Sequence, residues 1–330
     1  METDTRIPVT ILTGYLGAGK TTLLNRILSE PHGRRIAVIE NEFGAESIDH
    51  ALLVQDRDEQ IVEMNNGCVC CTVRGDLVRI LGKLHEKRWR KDIRFDRVVI
   101  ETTGLADPAP VAQTFFVDED VAGRYRLDAI LTVVDAVHAE SQLDEHHEAQ
   151  EQVGFADRLL VSKTDLVDPA RAEALERRLR AMNPTAPIAR AHFGAAPIDA
   201  LLDLDAFKLD DKLALDPDFL VDVSHEHDDA VTSFVWRSTR PFDPRALEAA
   251  FADLVAEHGT AMLRYKGVLH LDGESRRGVM QGVHMLFAGS YGAPWADGEP
   301  RESLLVFIGR RLPEEAFRAR LDGCVAALAA

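Results

Sequence analysis

The sequence predicts an α/β domain with a mostly parallel sheet flanked by helices over residues 1–204, and a smaller α+β domain with an antiparallel sheet over residues 230–330. Three observations predict this division. Six buried-strand runs alternate with helical stretches up to about residue 204, the pattern that builds parallel sheets. Residues 205–229, DAFKLDDKLALDPDFLVDVSHEHDD, then lose all periodicity and carry nine acidic residues against two lysines, which reads as an acidic connector. Beyond it, strand-like runs follow one another over turn-length links, as antiparallel sheets require.

IPVTILT is the first strand, and it runs straight into GYLGAGKTT, residues 14–22. Here Gly14 and Gly19 frame a G-x-x-x-x-G-K-T loop that Lys20 and Thr21 complete. A triphosphate needs many donors at close range, and Gly14, Gly17 and Gly19 keep side chains from holding the backbone N–H groups away, with Ala18 in the same cradle. Lys20, read as a solvent-facing charge, would reach the β- and γ-phosphates. Thr21 would complete a magnesium shell, and the helix starting at KTTLLNRILSE, Thr22 included, would aim its positive end at the anion.

RRIAVIE, FDRVVIE, LDAILTVVD, DRLLVSK and APIARAHF are the next strands, ending near residues 40, 101, 135, 163 and 193. Helical spacing is clearest in TLLNRILSE, RGDLVRILGKLHEKRW and PARAEALERRLRAMN. In the second domain VTSFVWRST reads as a strand and PFDPRALEAAFADLVAEHG as a helix with proline entry and glycine exit. MLRYKGVLHLDG, GVMQGVHMLFAG and SLLVFIGRRL read as three more strands, and a last helix starts near Pro313.

Chemistry collects at the strand ends. LLVSKTD places Ser162, Lys163 and Asp165 where GTP-binding proteins carry N-K-x-D, with serine in place of asparagine. A carboxylate offers only acceptors, so Asp165 suits the N1–H and amine of guanine and repels the N1 lone pair of adenine. In VVIETTG, Glu101 can reach a magnesium shell or a water near the γ-phosphate, and Gly104 leaves its N–H free to meet that phosphate. IENEFG brings Glu40 and Glu42 to the same crevice edge, where two carboxylates invite a metal.

Three of the four cysteines lie in NNGCVCC as Cys68, Cys70 and Cys71. Three thiols in four residues form no disulfide framework, and zinc or a related soft-ligand metal is the leading reading, with redox thiols and buried structural cysteines as alternatives. Three thiolates leave a tetrahedral site one ligand short, to be filled by Glu42, a histidine, water or a receiving protein. The pairs His146/His147 and His225/His227 could gather a metal weakly or stand as solvated polar residues. Cys324, alone near the end, reads as a small core hydrophobe.

GYLGAGKTT, IENEFG, NGCVCC, ETTGLADP, DAVHA and SKTD, with RYKG and VFIG in the second domain, together resemble the CobW-type metallochaperone GTPases, related to the hydrogenase and urease nickel-insertion GTPases, and within them the YjiA-like branch. The resemblance covers nearly the whole chain. It implies a P-loop GTPase that binds GTP with Mg2+, holds zinc or cobalt at C-x-C-C, and passes the metal to a client metalloprotein engaged by the carboxyl-terminal domain. It also implies that Asp49 organises magnesium or water. Ser162 departs from the commoner asparagine. A metal-responsive regulator or metal store with incidental GTPase activity is the alternative, and a homo-oligomer is left open.

The formal charge of −17, from 55 acidic and 38 basic residues, argues against nucleic acid or an anionic membrane as the main partner. The polar, acidic start METDTRIPVT and the lack of a long apolar run suggest a cytoplasmic protein.

Overall fold

The structure is a computed structural model and describes residues 4–30, 33–40, 51–54, 61–63, 73–191, 201–206 and 229–326. The chain divides into two compact units, Met1–Glu176 with Pro187–Phe207, and Arg177–Ala186 with Lys208–Ala330.

One sheet organises the first unit. Its strands are β1 (Ile7–Thr13), β2 (Ile36–Glu40), β3 (Ala51–Val54), β4 (Ile61–Glu63), β5 (Arg97–Glu101), β6 (Tyr125–Asp135), β7 (Arg158–Ser162) and β8 (Ile188–Ala191). The order is β4-β3-β2-β5-β1-β6-β7-β8. The six strands from β2 to β8 in that order are parallel, whereas β3 and β4 extend the edge antiparallel. The sequence pattern does not predict β3 and β4: at four and three residues they are too short for a period to show. The parallel strands read as unbroken apolar runs because both faces are covered, and β6 is buried at ten of its eleven residues.

The helices of this unit are α1 (Lys20–Ser29), α2 (Val73–Trp89), α3 (Ala109–Val117), α4 (Glu119–Ala122), α5 (Ala139–Glu145), α6 (His147–Phe155) and α7 (Pro169–Met182), whose last turns belong to the second unit. Leu23, Leu24 and Ile27 form one apolar face of α1 and pack with Leu12, Val38, Val99, Leu131 and Leu160 of the sheet. From β1 the chain goes to β2 and β5 on one side and then to β6, β7 and β8 on the other. The direction of winding thus reverses at β1, which opens a crevice at its carboxyl end.

The second unit carries β9 (Val231–Ser238), α8 (Pro244–His258), β10 (Met262–Leu269), β11 (Arg276–Val283), β12 (Leu286–Pro294), β13 (Ser303–Arg310) and α9 (Glu314–Asp322). Its sheet is antiparallel, in the order β12-β11-β10-β13-β9. Phe234, Phe251, Tyr265, Phe307 and Phe317 fill the core, with the Phe307 and Phe317 rings edge to face at 5.1 Å. Asp243 starts α8 by accepting the Arg245 and Ala246 N–H groups, and Pro244 occupies the first turn, where no N–H is needed. Cys324 is buried in the same core, its thiol donating to the Ala246 carbonyl, as expected of a small hydrophobe.

GVMQGVHMLFAG corrects one expectation. It is a hairpin of β11 and β12, not one strand: Val283 pairs with Leu286, and His284 between them takes φ 51°. The turn is hidden in the sequence because its residues, His284 and Met285, do not belong to the usual Asn-Gly class. No helix among the described residues is long and apolar enough to cross a membrane.

Candidate functional site

The crevice at the end of β1 is built first by glycine. β1 stops at Thr13 and α1 starts at Lys20, so residues 14–19 make the whole turn, and Gly14, Gly17 and Gly19 take φ of 142°, 76° and 101°. A Cβ at Gly14 would stand 2.3 Å from the Val133 carbonyl oxygen of β6, so even alanine would collide there. Gly19 at the N-cap of α1 has no side chain to cap it, and the first N–H groups of the helix have no partner within it. A glycine turn feeding an uncapped helix start is a cradle for an anion.

Lys20 lies inside this loop rather than in solvent, only 8% exposed, and this corrects the reading of a solvent-facing charge. Its ammonium donates to the Gly14 carbonyl at 2.7 Å and toward Tyr15 O at 3.4 Å. Burial pulls its pKa below the usual lysine value, while the Glu101 carboxylate works the other way. Next to it, Thr21 Oγ1 donates to Glu101 Oε1 at 3.1 Å. Glu101 arrives there because β5 pairs with β1 in register, Leu12 opposite Glu101. A hydroxyl and a carboxylate side by side at the mouth of an anion cradle fit the hard oxygen ligands that magnesium takes.

The loop after β5 closes one wall. A Cβ on Gly104 would come within 2.6 Å of the Leu16 backbone nitrogen, so glycine is needed for the two loops to touch. Gln152 of α6, buried, fixes that loop by donating to the carbonyls of Gly104 and Ala106, each at 3.1 Å.

The loop after β7 closes the other wall. Ser162 Oγ donates to the Ala18 carbonyl at 2.7 Å. Lys163, held at φ 56°, donates through Nζ to Gly17 O at 2.8 Å and to Asp135 Oδ2 at 2.7 Å. Asp135 ends β6, is buried, and also accepts the Val137 N–H while facing His138 Nδ1 at 2.9 Å. Burial pushes its carboxyl up, but the bonds from Lys163, His138 and Val137 hold it below the ordinary carboxylate value. Asp165 follows on an exposed 3-10 turn, Thr164–Leu166.

Two family descriptions match this chain: "CobW/HypB/UreG, nucleotide-binding domain" over residues 8–190 and "Cobalamin synthesis protein cobW C-terminal domain" over residues 231–325. The chain belongs to the CobW/HypB/UreG family. Among its relatives, the zinc chaperone YjiA of Escherichia coli is 43% identical over 96% of this chain and 98% of its own length. The zinc chaperone CobW of Pseudomonas aeruginosa is 32% identical over 99% and 93%. The crystal structure of Zn(II)-bound YjiA GTPase from E. coli aligns with a TM-score of 0.81 at 41% identity, covering 97% of this chain and 99% of that one. A Zn(II)-bound triple mutant of the same GTPase aligns with the same TM-score.

Within this CobW/HypB/UreG frame, the residues singled out by sequence fall into two groups. Gly14, Gly17, Ala18, Gly19, Lys20, Thr21, Thr22, Glu101, Gly104, Ser162, Lys163 and Asp165 all belong to the loops and helix start at the carboxyl ends of β1, β5 and β7. Glu42, Asp49, Cys68, Cys70 and Cys71 lie outside the described residues, as do His225 and His227. The backbone of Glu40 stands opposite Glu101 in the sheet. His146 stacks on Tyr15 of the glycine loop at 4.9 Å, and no group of three metal-ligating side chains occurs among the described residues.

Sequence reading did not assign Asp135 or Gln152 to the site. Asp135 had a signal, since it ends the strand LTVVD at the same sheet edge from which Glu101 was chosen. Gln152 had none, because a glutamine on a helix carries no mark of the loop it reaches.

Proposed function

We propose that this chain hydrolyses GTP and uses the nucleotide state to capture zinc, with cobalt as a second candidate, at Cys68, Cys70 and Cys71 and to deliver it to a client protein. What carries the reading is the contact of Thr21 with Glu101 beside a buried lysine in a glycine loop, in a chain 43% identical to a relative named a zinc chaperone. The thiolates must stay reduced to bind metal, which supports a cytoplasmic setting. In this proposal residues 1–204 handle nucleotide and residues 230–330 engage the client.

The chemistry is attack of water on the γ-phosphate. Lys20 and the loop N–H groups would hold the negative charge that spreads over the transferring phosphoryl oxygens, with no reorganisation at the moment of reaction. Thr21 and Glu101 would hold magnesium, which when bound neutralises the phosphates; Glu42 and Asp49 are proposed to support that ion or order the water. Asp165 would accept the two guanine N–H groups. Lys163 would lie along the base, pinned from behind by Asp135.

Two substitutions test the base side. Asp165→Asn is expected to weaken GTP binding and relax discrimination against ATP by about 1–3 kcal/mol, because an amide can donate where the carboxylate only accepts. Fluorescent-nucleotide titrations measure it, and wild-type protein that bound ATP and GTP equally would refute the assignment. Asp135→Asn removes the charge that orients Lys163, so GTP and GDP should both loosen by about 1–2 kcal/mol while the ATP/GTP preference survives. A changed preference with unchanged affinity would show that Asp135 plays some other part.

A further inference from the structure

The amino ends of the parallel strands carry a second feature, at the opposite edge of the sheet from the glycine loop. α2 ends there in KLHEKRWRKDIR, residues 83–94, with six lysines and arginines against two carboxylates in a chain whose net charge is −17. His85, Arg88, Trp89, Lys91 and Arg94 of this segment line a cleft of about 280 Å³ with Arg35, Phe95 and Asp96.

Its cations differ in how they are held. Arg88 is fixed: its Nε donates to the Phe95 carbonyl at 3.0 Å and its guanidinium lies 5.6 Å from the Phe95 ring. Arg35 is neutralised by Asp96, at 2.6 and 3.0 Å, and Arg90 by Glu86. Of the lining cations, Lys91 and Arg94 meet no carboxylate among the described residues. Trp89 lines the cleft with them, 78% exposed, and His85 Nδ1, buried at the cleft wall, has no hydrogen-bond partner among the described residues. Cations left without acids in an acid-rich chain, around an indole left in water, match a ligand that brings both carboxylates and an apolar group.

We propose that this cleft docks an acidic segment of a partner protein, its carboxylates on Lys91, Arg94 and Arg88 and an apolar or aromatic side chain on Trp89. The cations are strung along the last turns of α2 and the loop beyond rather than aimed at one point, which suits carboxylates spaced along a peptide better than a single phosphate. Asp96 and Glu86 cancel Arg35 and Arg90, and Asp92 adds a negative charge at the same place, which leaves few cations for a continuous anionic bilayer, whereas a peptide can set its charges to avoid Asp92. The site is independent of the nucleotide reading, since the glycine loop lies at the other ends of the same strands.

The probe is a fluorescein-labelled glutamate-rich peptide with one central phenylalanine, titrated with the full chain and followed by anisotropy. The rest of the protein repels such a peptide, so binding must come from the local patch. The dissociation constant is expected to rise about tenfold or more in K91E/R94E and about fivefold in W89A, and to rise steeply with salt. The control R245E/R301E makes the same change of net charge at exposed positions of the second unit and should leave binding within about twofold. All substituted residues are exposed or half-buried surface positions, and circular dichroism confirms that each variant is folded. Absence of peptide binding by the wild type, or equal loss in the control, would overturn the proposal. So would binding only to phosphatidylserine vesicles through the same residues, which would make the cleft a lipid surface.

Discussion

Lys20→Ala is expected to cut GTP turnover by about 10²–10³-fold, the loss seen when one preorganised group facing developing charge is removed. The structure sharpens why. Lys20 is held within the glycine loop by the Gly14 carbonyl, so its ammonium is positioned before any nucleotide arrives. Burial has already stripped much of its water, as the lowered pKa reflects, so an incoming phosphate meets a charge poorly compensated by solvent. The same burial changes the expected cost to folding. Removing a surface charge would be silent, whereas Lys20→Ala leaves the Gly14 carbonyl without its donor, a loss of about 1 kcal/mol. Thermal melts should therefore show a small drop in stability beside a large drop in turnover. A folded Lys20→Ala protein with wild-type turnover would contradict the phosphate-cradle reading.

That revision shows where sequence reading stops. The spacing of Gly14, Gly19, Lys20 and Thr21 is a local fact, and the backbone angles it demands are the ones observed. Parallel strands were equally readable, because burial on both faces leaves an unbroken apolar run. Burial of Lys20, by contrast, depends on how the loop folds over it. The bond from Lys163 to Asp135 spans 28 residues and exists because β6 and β7 pair with Asp135 opposite Ser162. No window of sequence contains that register. β3 and β4 escaped for a different reason, being too short for alternation to be seen, and the turn at His284 escaped because its left-handed residue is not a glycine or asparagine.

The second large effect expected is on zinc. Alanine at Cys68, Cys70 and Cys71 together should weaken zinc binding by at least about 100-fold, since thiolates supply most of the affinity of soft-ligand zinc sites. The presence of zinc in a crystal is too coarse a readout, because a triple mutant of the E. coli relative is itself described as Zn(II)-bound. A competition titration against a zinc chelator measures affinity directly, and should show it tightening as pH rises toward the free-thiol value near 8.5, with protons released on capture. The nucleotide enters through chain order. β2 ends at Glu40, opposite Glu101 at the mouth of the phosphate cradle, and the chain from there runs through Glu42 and Asp49 to the three thiols. If Mg–GTP positions the first part of that segment, zinc affinity must differ between nucleotide states, and by linkage zinc must change GTP affinity by the same factor. We expect zinc to bind more tightly with a non-hydrolysable GTP analogue than with GDP by about 1–3 kcal/mol, the usual range of coupling between sites. The difference should vanish in the triple alanine variant while GTP binding persists. Equal zinc affinity in the two states would leave the GTPase and the metal site uncoupled, and delivery under nucleotide control would then have no physical basis in this chain.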